Sequence, residues 1–387
     1  MPDARRRRTK ATVKPQVENQ QENSSSAPPA SHSLLMRYVA LIMVSMIGLV
    51  LWLLFIQRSG GDSGFGSFKL GALRGAKAPA RDDMHKSPFF VADIPGKGMG
   101  LLASRKIKQG ELLVREMPLF VVPRETTSSP SELVGGLVAQ LSKKEQEAFF
   151  NLSYVNFPNH LDPDRDRNEV ALAIFQTNAV GAGDNVGIFP RMARLNHGCS
   201  SAFNAVYSWR EKERALYVYA LRSINQGEEL LTSYGNARQP RRERRARLAE
   251  HYGFECQCRV CSMAEEESQA SDRRLEAING AYERFASWGQ GHISGTDAIA
   301  QVRKIWRLED EEGYWSERGS LAADATLVAA SHSDVLATQQ WAELAAEWYA
   351  YELGGDSEQV AAMRAVAADG TRHARWKSRG GLVVGGP

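Results

Sequence analysis

Residues 254–261 read FECQCRVC and place three cysteines, Cys256, Cys258 and Cys261, within six positions. Cysteines this close along the chain are poor disulfide partners, because a bridge requires particular Cα separations and Cβ directions. Zn²⁺ binds tetrahedral sets of thiolates tightly, and Cys199, the remaining cysteine of the 387 residues, completes a set of four. The cysteine pattern therefore predicts a closed structural zinc site, with free or oxidised thiols as the alternative.

Three further segments contain chemically useful side chains or closely spaced glycines. Residues 194–199 read RLNHGC and offer an amide, an imidazole and a thiol within four positions. Residues 227–235 read GEELLTSYG, in which Tyr234 follows a strand-like run and can place its hydroxyl in a cleft. Residues 96–101 read GKGMGL, whose glycines let the main chain approach a ligand. Taken singly, each segment is more often structural than functional.

Together and in this order, the four segments resemble a SET-domain methyltransferase that carries a post-SET zinc segment. The resemblance covers about residues 88–262. The run from Tyr234 to Phe254 is most similar to the SET-and-MYND group and its fungal relatives, although a MYND module is absent because no cysteine lies between the two SET halves. It implies an α+β fold class, in which a β-rich SET fold of short strands contains a pseudoknot and a helical insertion.

The resemblance also implies an activity, the transfer of a methyl group from S-adenosylmethionine to a lysine of a protein substrate, histone or non-histone. Tyr234 would be the catalytic tyrosine, and Tyr252 would border the lysine channel. The residues that would hold the cofactor are Lys97, Gly98, Gly100, Asn196, His197, Tyr234 and Phe254. The residues that would bind the structural zinc are Cys199, Cys256, Cys258 and Cys261.

One loop departs from the family pattern. Family members usually read Asn-His-x-Cys-x-Pro-Asn, whereas residues 199–204 read CSSAFN. The proline is missing and Asn204 lies two positions further on, so the loop after Cys199 has to be rebuilt on the substrate side. This departure leaves an alternative function open, in which a catalytically inactive SET domain acts as a membrane-anchored protein-interaction adaptor.

The rest of the chain contains one repeated motif, the internal echo, and two segments with helical periodicity. Residues 107–111 read IKQGE and recur as INQGE at residues 224–228. Each copy is predicted to be a hairpin turn with glycine at positive φ, which suggests one β-rich domain split by an insertion. Leucines four residues apart predict that this insertion, about residues 131–175, is helical. Apolar faces at helical spacing predict a helical C-terminal domain over residues 263–378, before a flexible tail at 379–387.

The N-terminal part contains an uncharged apolar run of nineteen residues, 38–56. As a helix it would be about 28 Å long, close to the hydrocarbon thickness of a bilayer. We therefore predict a transmembrane helix over residues 34–57, after a disordered basic tail (1–33) and before a flexible stalk (58–87). The chain is expected to be a single-pass membrane protein. The basic tail favours a lumenal domain, but free thiols and a methyl donor favour one that faces the cytoplasm or nucleoplasm.

The overall composition restricts the partners. The chain is 43% apolar and 24% charged, which is ordinary for a packed globular protein. Its 48 basic and 45 acidic residues give a net charge of +3, too balanced to argue for nucleic-acid binding. The run of arginines at residues 241–247 is interpreted as a solvated helix face. The predicted partners are a protein substrate with a target lysine and the membrane, without direct nucleic-acid binding.

Overall fold

A computed structural model of the chain describes residues 87–125 and 129–387. The predicted basic tail, the predicted transmembrane helix and all but the last residue of the predicted stalk lie outside these ranges. The described part mixes short strands with helices, and helices dominate after residue 241. The α+β class and the helical C-terminal region predicted from the sequence are therefore confirmed.

The predicted single-pass membrane localisation has to be corrected. Among the residues that the structure describes, no helix is both long enough and apolar enough to cross a membrane. The longest one, Glu265–Ala286, has 22 residues, but it begins with three glutamates and has charged residues along its length. The membrane prediction depended on residues 34–57 alone, and that segment lies outside the described ranges.

Short strands build the first half of the described chain. Their bounds are β1 Phe89–Ile94, β2 Gly98–Ala103, β3 Leu112–Glu116, β4 Val121–Pro123, β5 Val180–Ala182, β6 Asn185–Gly187, β7 Asn196–His197, β8 Ala205–Arg210, β9 Ala215–Ala220 and β10 Glu229–Thr232. They form three small sheets, in the orders β1-β2-β10-β7, β3-β9-β8 and β4-β6-β5. Only β7 and β10 among these pairs run parallel, with Asn196 opposite Leu231 and His197 opposite Thr232. This parallel pairing places Asn196 and His197 beside the strand that leads into Tyr234.

The internal echo marks two corners between sheets. Strands β2 and β10 belong to the first sheet and β3 and β9 to the second, so each copy connects one sheet to the other. Ile107 and Ile224 pair with each other as an antiparallel bridge, with N–O distances of 2.9 and 3.0 Å. Gly110 and Gly227 have the predicted positive φ, 76° and 79°. The hairpin prediction is wrong in topology, because the two strands that flank each turn belong to different sheets and do not pair with each other.

The main core lies between these sheets. Ile107 and Ile224 are fully buried in it, beside Leu101, Val114 and Leu230. Burying a large aliphatic side chain of this kind contributes about 1.5–3 kcal/mol. The two corners therefore hold the sheets together by apolar packing as well as by their mutual hydrogen bonds.

Three helices form the insertion between β4 and β5: α1 Pro130–Ala139, α2 Lys143–Phe150 and α3 Arg167–Asn178. A capping box between Ser142 and Glu145 starts α2 by satisfying main-chain donors at its first turn. Phe149 and Ile174 are fully buried in a separate cluster that also contains Phe120, just before β4. This cluster joins the insertion to the strands.

The remaining helices are α4 Arg241–Tyr252, α5 Glu265–Ala286, α6 Gly295–Glu312, α7 Arg318–Ser331, α8 Val335–Leu353 and α9 Glu358–Ala368. Glycines in the left-handed helical conformation end two of them, Gly253 after α4 and Gly313 after α6. The side chain of Arg318 is 1% exposed at the start of α7. Its guanidinium lies 4.5–4.9 Å from the ring centroids of Trp306, Trp315 and Trp348. These three tryptophans thus pack around a buried cation.

Two buried carboxyl groups accompany this cation. Glu309 is fully buried and lies 3.8 Å from Arg318 Nε, and Glu352 is 6% exposed. Burial raises the pKa of each to about 8, because removing a carboxylate from water disfavours its charged form. Both groups therefore keep their protons in the folded protein at neutral pH.

We expect the stability of the protein to fall as pH rises between about 5 and 8. In this window the folded state holds protons on Glu309 and Glu352 that the unfolded chain, with an ordinary pKa of 4.5, has released. Unfolding then releases protons, and a higher pH favours it. Urea midpoints measured across this range should decline for the wild-type protein and decline less for Glu309→Gln and Glu352→Gln. The exposed Glu276→Gln is the control; a slope equal in all four proteins would contradict the assignment.

Candidate functional site

The four cysteines converge in the fold as the sequence predicts. Their sulfur atoms all lie within 4.8 Å of one another, and each residue is buried. Cys199 Sγ lies 3.9 Å from Cys256 Sγ and 3.5 Å from Cys261 Sγ. Four ligands at the usual Zn–S distance of about 2.3 Å in a tetrahedron have sulfurs about 3.8 Å apart. The geometry and the donor type therefore fit a zinc ion, which would make a closed site with no free position.

A buried arginine lies against this cluster. Arg244 on α4 is 2% exposed, and its nearest carboxylate, Asp272, is 3.7 Å away. Burial acts to lower the pKa of Arg244, but negative charge at Cys199 and Cys261 outweighs it and raises the pKa. Four thiolates around one Zn²⁺ leave a net charge of about −2, which a neighbouring cation stabilises. Arg244 thus fits the role of a counter-ion to a thiolate site.

His197 links the thiol cluster to Tyr234. Its Nδ1 accepts a hydrogen bond from the Tyr234 main-chain N–H at 3.0 Å, so its proton resides on Nε2, 3.1 Å from Cys199 Sγ. Burial lowers the pKa of His197 to about 4, which keeps the ring neutral. Both ring nitrogens are engaged within the protein, so any contact of His197 with a methyl donor falls to its main chain.

Two aromatic rings contact this imidazole, and a third ring packs against both of them. The Tyr234 ring lies 5.3 Å from His197 and 4.9 Å from Tyr252, while Phe254 lies 6.4 Å from His197. The Tyr234 hydroxyl donates to the Leu195 carbonyl at 2.9 Å. Burial, with smaller contributions from Tyr252 and Glu229, raises the pKa of Tyr234. Tyr234 is therefore a neutral phenol whose proton points at a fixed acceptor and whose lone pairs are free to face a ligand.

The glycine strand approaches Asn196 closely. A side chain at Gly100 would begin 2.7 Å from Asn196 Nδ2 and 2.6 Å from Ile94 Cγ1, so only glycine fits there. Gly98 has a φ of 72°, and a side chain on it would meet no atom within 4 Å. Lys97 Nζ lies 2.5 Å from Glu229 Oε2, and Asn196 Nδ2 donates to Glu229 Oε1 at 2.9 Å. Lys97, Gly100 and Asn196 are therefore brought together.

The rebuilt loop after Cys199 is fully anchored. Asn204, two positions later than the family pattern places it, is completely buried and pairs with Leu231 through its side-chain oxygen at 2.8 Å and its main-chain N–H at 2.9 Å. Ser200 donates to Glu312 of α6 at 2.9 Å, and Arg259 donates to the Ser201 carbonyl. The loop is thus tied to the strands, the cysteine segment and the C-terminal helices.

A pocket of about 140 Å³ lies against the turn that contains Tyr234, and the chain neighbours of Tyr234, rather than Tyr234 itself, line it. Its walls come from three places: β8 and the residue segment before it, the turn around Tyr234, and the loop between α6 and α7. They include Phe203, Tyr207, Thr232, Gly235, Tyr314 and Glu317. The helical C-terminal region therefore contributes to a cavity next to the predicted catalytic tyrosine.

Sequence reasoning missed three residues that hold the site together: Glu229, Arg244 and Glu312. Glu229 lies within the quoted segment 227–235, but the identity of its partners depends on the pairing of β10 with β2 and β7. Arg244 was grouped with its neighbours as a solvated arginine, whereas it is 2% exposed. A leucine four residues on, Leu248, is buried on the same face and was the available signal.

Comparison with known proteins agrees with this geometry. Residues 98–235 match the SET domain family. The chain is 29% identical over 274 residues to histone-lysine N-methyltransferase set5 of Schizosaccharomyces pombe. The aligned stretch covers 70% of this chain and 81% of that protein. It is 37% identical over 82 residues to N-lysine methyltransferase SMYD2 of Gallus gallus, 21% of this chain and 18% of the relative. Over 95 residues it is 34% identical to histone-lysine N-methyltransferase SMYD3 of Mus musculus, 24% and 20% of the two chains.

Residues 98–235 are thus matched as a SET domain, and the chain is similar to lysine methyltransferases of the SET5 and SMYD groups.

Removing one thiol should remove the metal. We expect Cys256→Ser to hold much less zinc than wild type, which should bind about one ion per chain, because three thiolates leave the tetrahedral set incomplete. The melting temperature should fall as well, since metal binding and folding are coupled in such sites. Elemental analysis of the purified chains measures the first effect and calorimetry the second. Ser262→Ala, one residue beyond Cys261, is the matched control, and equal zinc in all three proteins would rule out the site.

Proposed function

We propose that this chain is an S-adenosylmethionine-dependent protein-lysine N-methyltransferase with a structural zinc ion. The observation that carries the proposal is the meeting of Tyr234, Asn196 and the glycine strand beside the four-thiol cluster. The parallel pairing of β7 with β10 supports it, because that pairing sets Asn196 next to the strand that leads into Tyr234. The lysine methyltransferase names of the relatives support the same reaction.

The catalytic unit in this proposal is residues 88–262, with the helical insertion at about 131–175 and a helical domain at 263–378. The segment 233–235 would cross over β7 to form a pseudoknot. Two contacts support this crossing: the Tyr234 N–H donates to His197 Nδ1, and the Gly198 N–H donates to the Thr232 carbonyl at 2.9 Å. The crossing would fix Tyr234 over the Asn-His segment.

The methyl donor would be held on two sides. One side of the donor would face the main chain of Gly98 and Gly100 and the ammonium group of Lys97. The other side would face Asn196 and the main chain of His197. Phe254 would stack on the adenine, and Tyr234 would border the methyl group. The steric fit at Gly100 and the cation at Lys97, 34% exposed, support a site for a compact charged ligand.

Bound S-adenosylmethionine supplies an activated methyl group for in-line transfer to a neutral lysine amine. Because burial raises the pKa of Tyr234, its hydroxyl stays protonated and does not act as a base at neutral pH. With its proton donated to Leu195, its oxygen can accept from the amine or from the methyl hydrogens. Tyr234 would therefore orient the reacting groups, and the amine proton would leave to solvent before attack.

The zinc would act at a distance from the reaction. Cys256, Cys258 and Cys261 lie in the segment that follows Tyr252 and Phe254, and Cys199 fixes that segment to β7. The ion would hold the two aromatic walls against Tyr234, a structural role without a free coordination position.

The protein substrate would enter through the pocket beside Tyr234. Its walls are aromatic on two sides, at Tyr207 and Tyr314, and burial raises the pKa of Tyr207, with a smaller contribution from Tyr252. Glu317, also in the wall, would attract the ammonium group of an entering lysine, and the aromatic rings would border its side chain. The complete bonding of Asn204 supports this function over an inactive adaptor, whose main argument was the altered loop.

Replacing the tyrosine hydroxyl should separate catalysis from folding. We expect Tyr234→Phe to slow methyl transfer about a hundredfold, because one oriented polar group at the reacting centre is lost. Zinc content and affinity for S-adenosylmethionine should stay at wild-type values, since the ring remains. The assay uses the full chain, labelled methyl donor and purified histones or a cell extract, with the modified residue identified by mass spectrometry. Tyr154→Phe, at an exposed tyrosine, is the control.

Full activity of Tyr234→Phe would refute the assigned role of this tyrosine. A label on residues other than lysine would refute the proposed acceptor.

A further inference from the structure

The carboxylate of Glu229 lies where three residues assigned to the methyl donor meet. Its Oε2 contacts Lys97 Nζ at 2.5 Å and its Oε1 accepts from Asn196 Nδ2 at 2.9 Å. A side chain at Gly100 would begin 3.1 Å from the same Oε1. The Glu229 side chain is only 13% exposed. One carboxylate therefore faces the same cleft as the main chain and the two polar side chains around it.

This carboxylate also determines how Asn196 presents its amide. Because Asn196 Nδ2 donates to Glu229, the amide oxygen is directed to the other side of the group. An amide oxygen held in this way accepts hydrogen bonds but donates none. Glu229 thus brings a negative charge to the cleft and fixes which edge of the Asn196 amide carries the oxygen.

The two charges of the cleft match the charges of the amino-acid end of the donor. S-adenosylmethionine contains one carboxylate, one ammonium and a sulfonium, and the product S-adenosylhomocysteine differs by the loss of the methyl group and of the sulfonium charge. Lys97 offers one cation and Glu229 one anion, and without ligand they pair with each other. A zwitterion can exchange with this pair by taking Lys97 through its carboxylate and Glu229 through its ammonium, so that no charge is left unpaired.

We propose that Glu229 is a cofactor-recognition residue that favours the sulfonium form of the cofactor over the neutral product, an inference that rests on the proposed function. Glu229 lies at the start of β10, the strand that leads into Tyr234, and its carboxylate contacts Asn196 on the neighbouring strand, so its negative charge lies on the side of the cleft where the donor would bind. Once the methyl group has left, the sulfur is neutral and this attraction is lost. Glu229 therefore stabilises the bound donor more than the bound product.

The neighbouring carboxylate provides a matched comparison. Glu228 points away from the cleft, with its carboxylate 2.5 Å from Arg222 and 3.1 Å from the Asn225 main-chain N–H. It closes the corner between the sheets, as Glu111 does with Arg105 and Lys108 in the other copy of the echo. The two glutamates have the same chemistry, but only Glu229 faces Lys97 and Asn196.

The test measures binding of three ligands to the full chain by calorimetry: S-adenosylmethionine, S-adenosylhomocysteine, and 5′-methylthioadenosine, which has no amino-acid end. Glu229→Gln keeps the size of the side chain and an acceptor for Asn196 but removes the charge. We expect it to lose about tenfold to a hundredfold in affinity for S-adenosylmethionine, less for S-adenosylhomocysteine, and nothing for 5′-methylthioadenosine. Glu228→Gln should bind all three as wild type does.

A second variant tests the same idea without altering Glu229. Lys97→Gln removes the cation assigned to the ligand carboxylate, so both amino-acid ligands should bind more weakly. It also removes the cation that competes for the Glu229 carboxylate, so the preference for S-adenosylmethionine over S-adenosylhomocysteine should increase. Melting temperature and zinc content verify that each variant is folded. Equal losses of affinity for all three ligands in Glu229→Gln, or an unchanged ligand preference in Lys97→Gln, would show that Glu229 has only a structural role. Absence of S-adenosylmethionine binding by wild type would instead refute the proposed function.

Discussion

The convergence of four thiols is the constraint on which the site depends. It joins Cys199, which follows β7, to a segment more than fifty residues later in the chain, and the Cys199–Cys261 sulfur distance of 3.5 Å leaves room for one small ion. His197 connects this cluster to the Tyr234 main chain through opposite edges of one neutral ring. The four thiols and the proposed catalytic tyrosine are therefore linked through a single imidazole ring.

A second interaction organises the opposite side of the cleft. Glu229 ties Lys97 of the turn after β1 to Asn196 of β7, and this network excludes any side chain at Gly100. The thiol cluster thus fixes the aromatic side and the glutamate fixes the polar side. Both depend on β10, which pairs with β2 on one edge and with β7 on the other.

Sequence reasoning succeeded where chemistry leaves few choices. Three cysteines with one-residue and two-residue spacings, and a fourth elsewhere in the chain, have few uses other than a metal, and the structure brings all four together. Glycine with positive φ was predictable at Gly110 and Gly227, because other residues adopt that conformation rarely. The pairing partners of the strands were not predictable, since local pattern specifies a strand and not its neighbour. This is why two corners between sheets were interpreted as hairpins.

The residues that escaped prediction owe their roles to distant neighbours. Arg244 belongs to a run that reads as solvated, yet the fold directs it alone toward the thiols. Glu229 follows an almost identical glutamate, and only the packing of β10 distinguishes the two. The apolar run at residues 38–56 shows the opposite problem, because its length alone suggested a localisation to which the described structure gives no support.

The most direct test of this account follows cofactor binding as metal is restored. The full chain is stripped of metal with a chelator, and Zn²⁺ is titrated back while the affinity for S-adenosylmethionine is measured at each step. The account predicts that binding is lost on stripping and returns in proportion to the zinc added, reaching its full extent at about one ion per chain. Binding of S-adenosylmethionine that is unaffected by complete removal of zinc would contradict it.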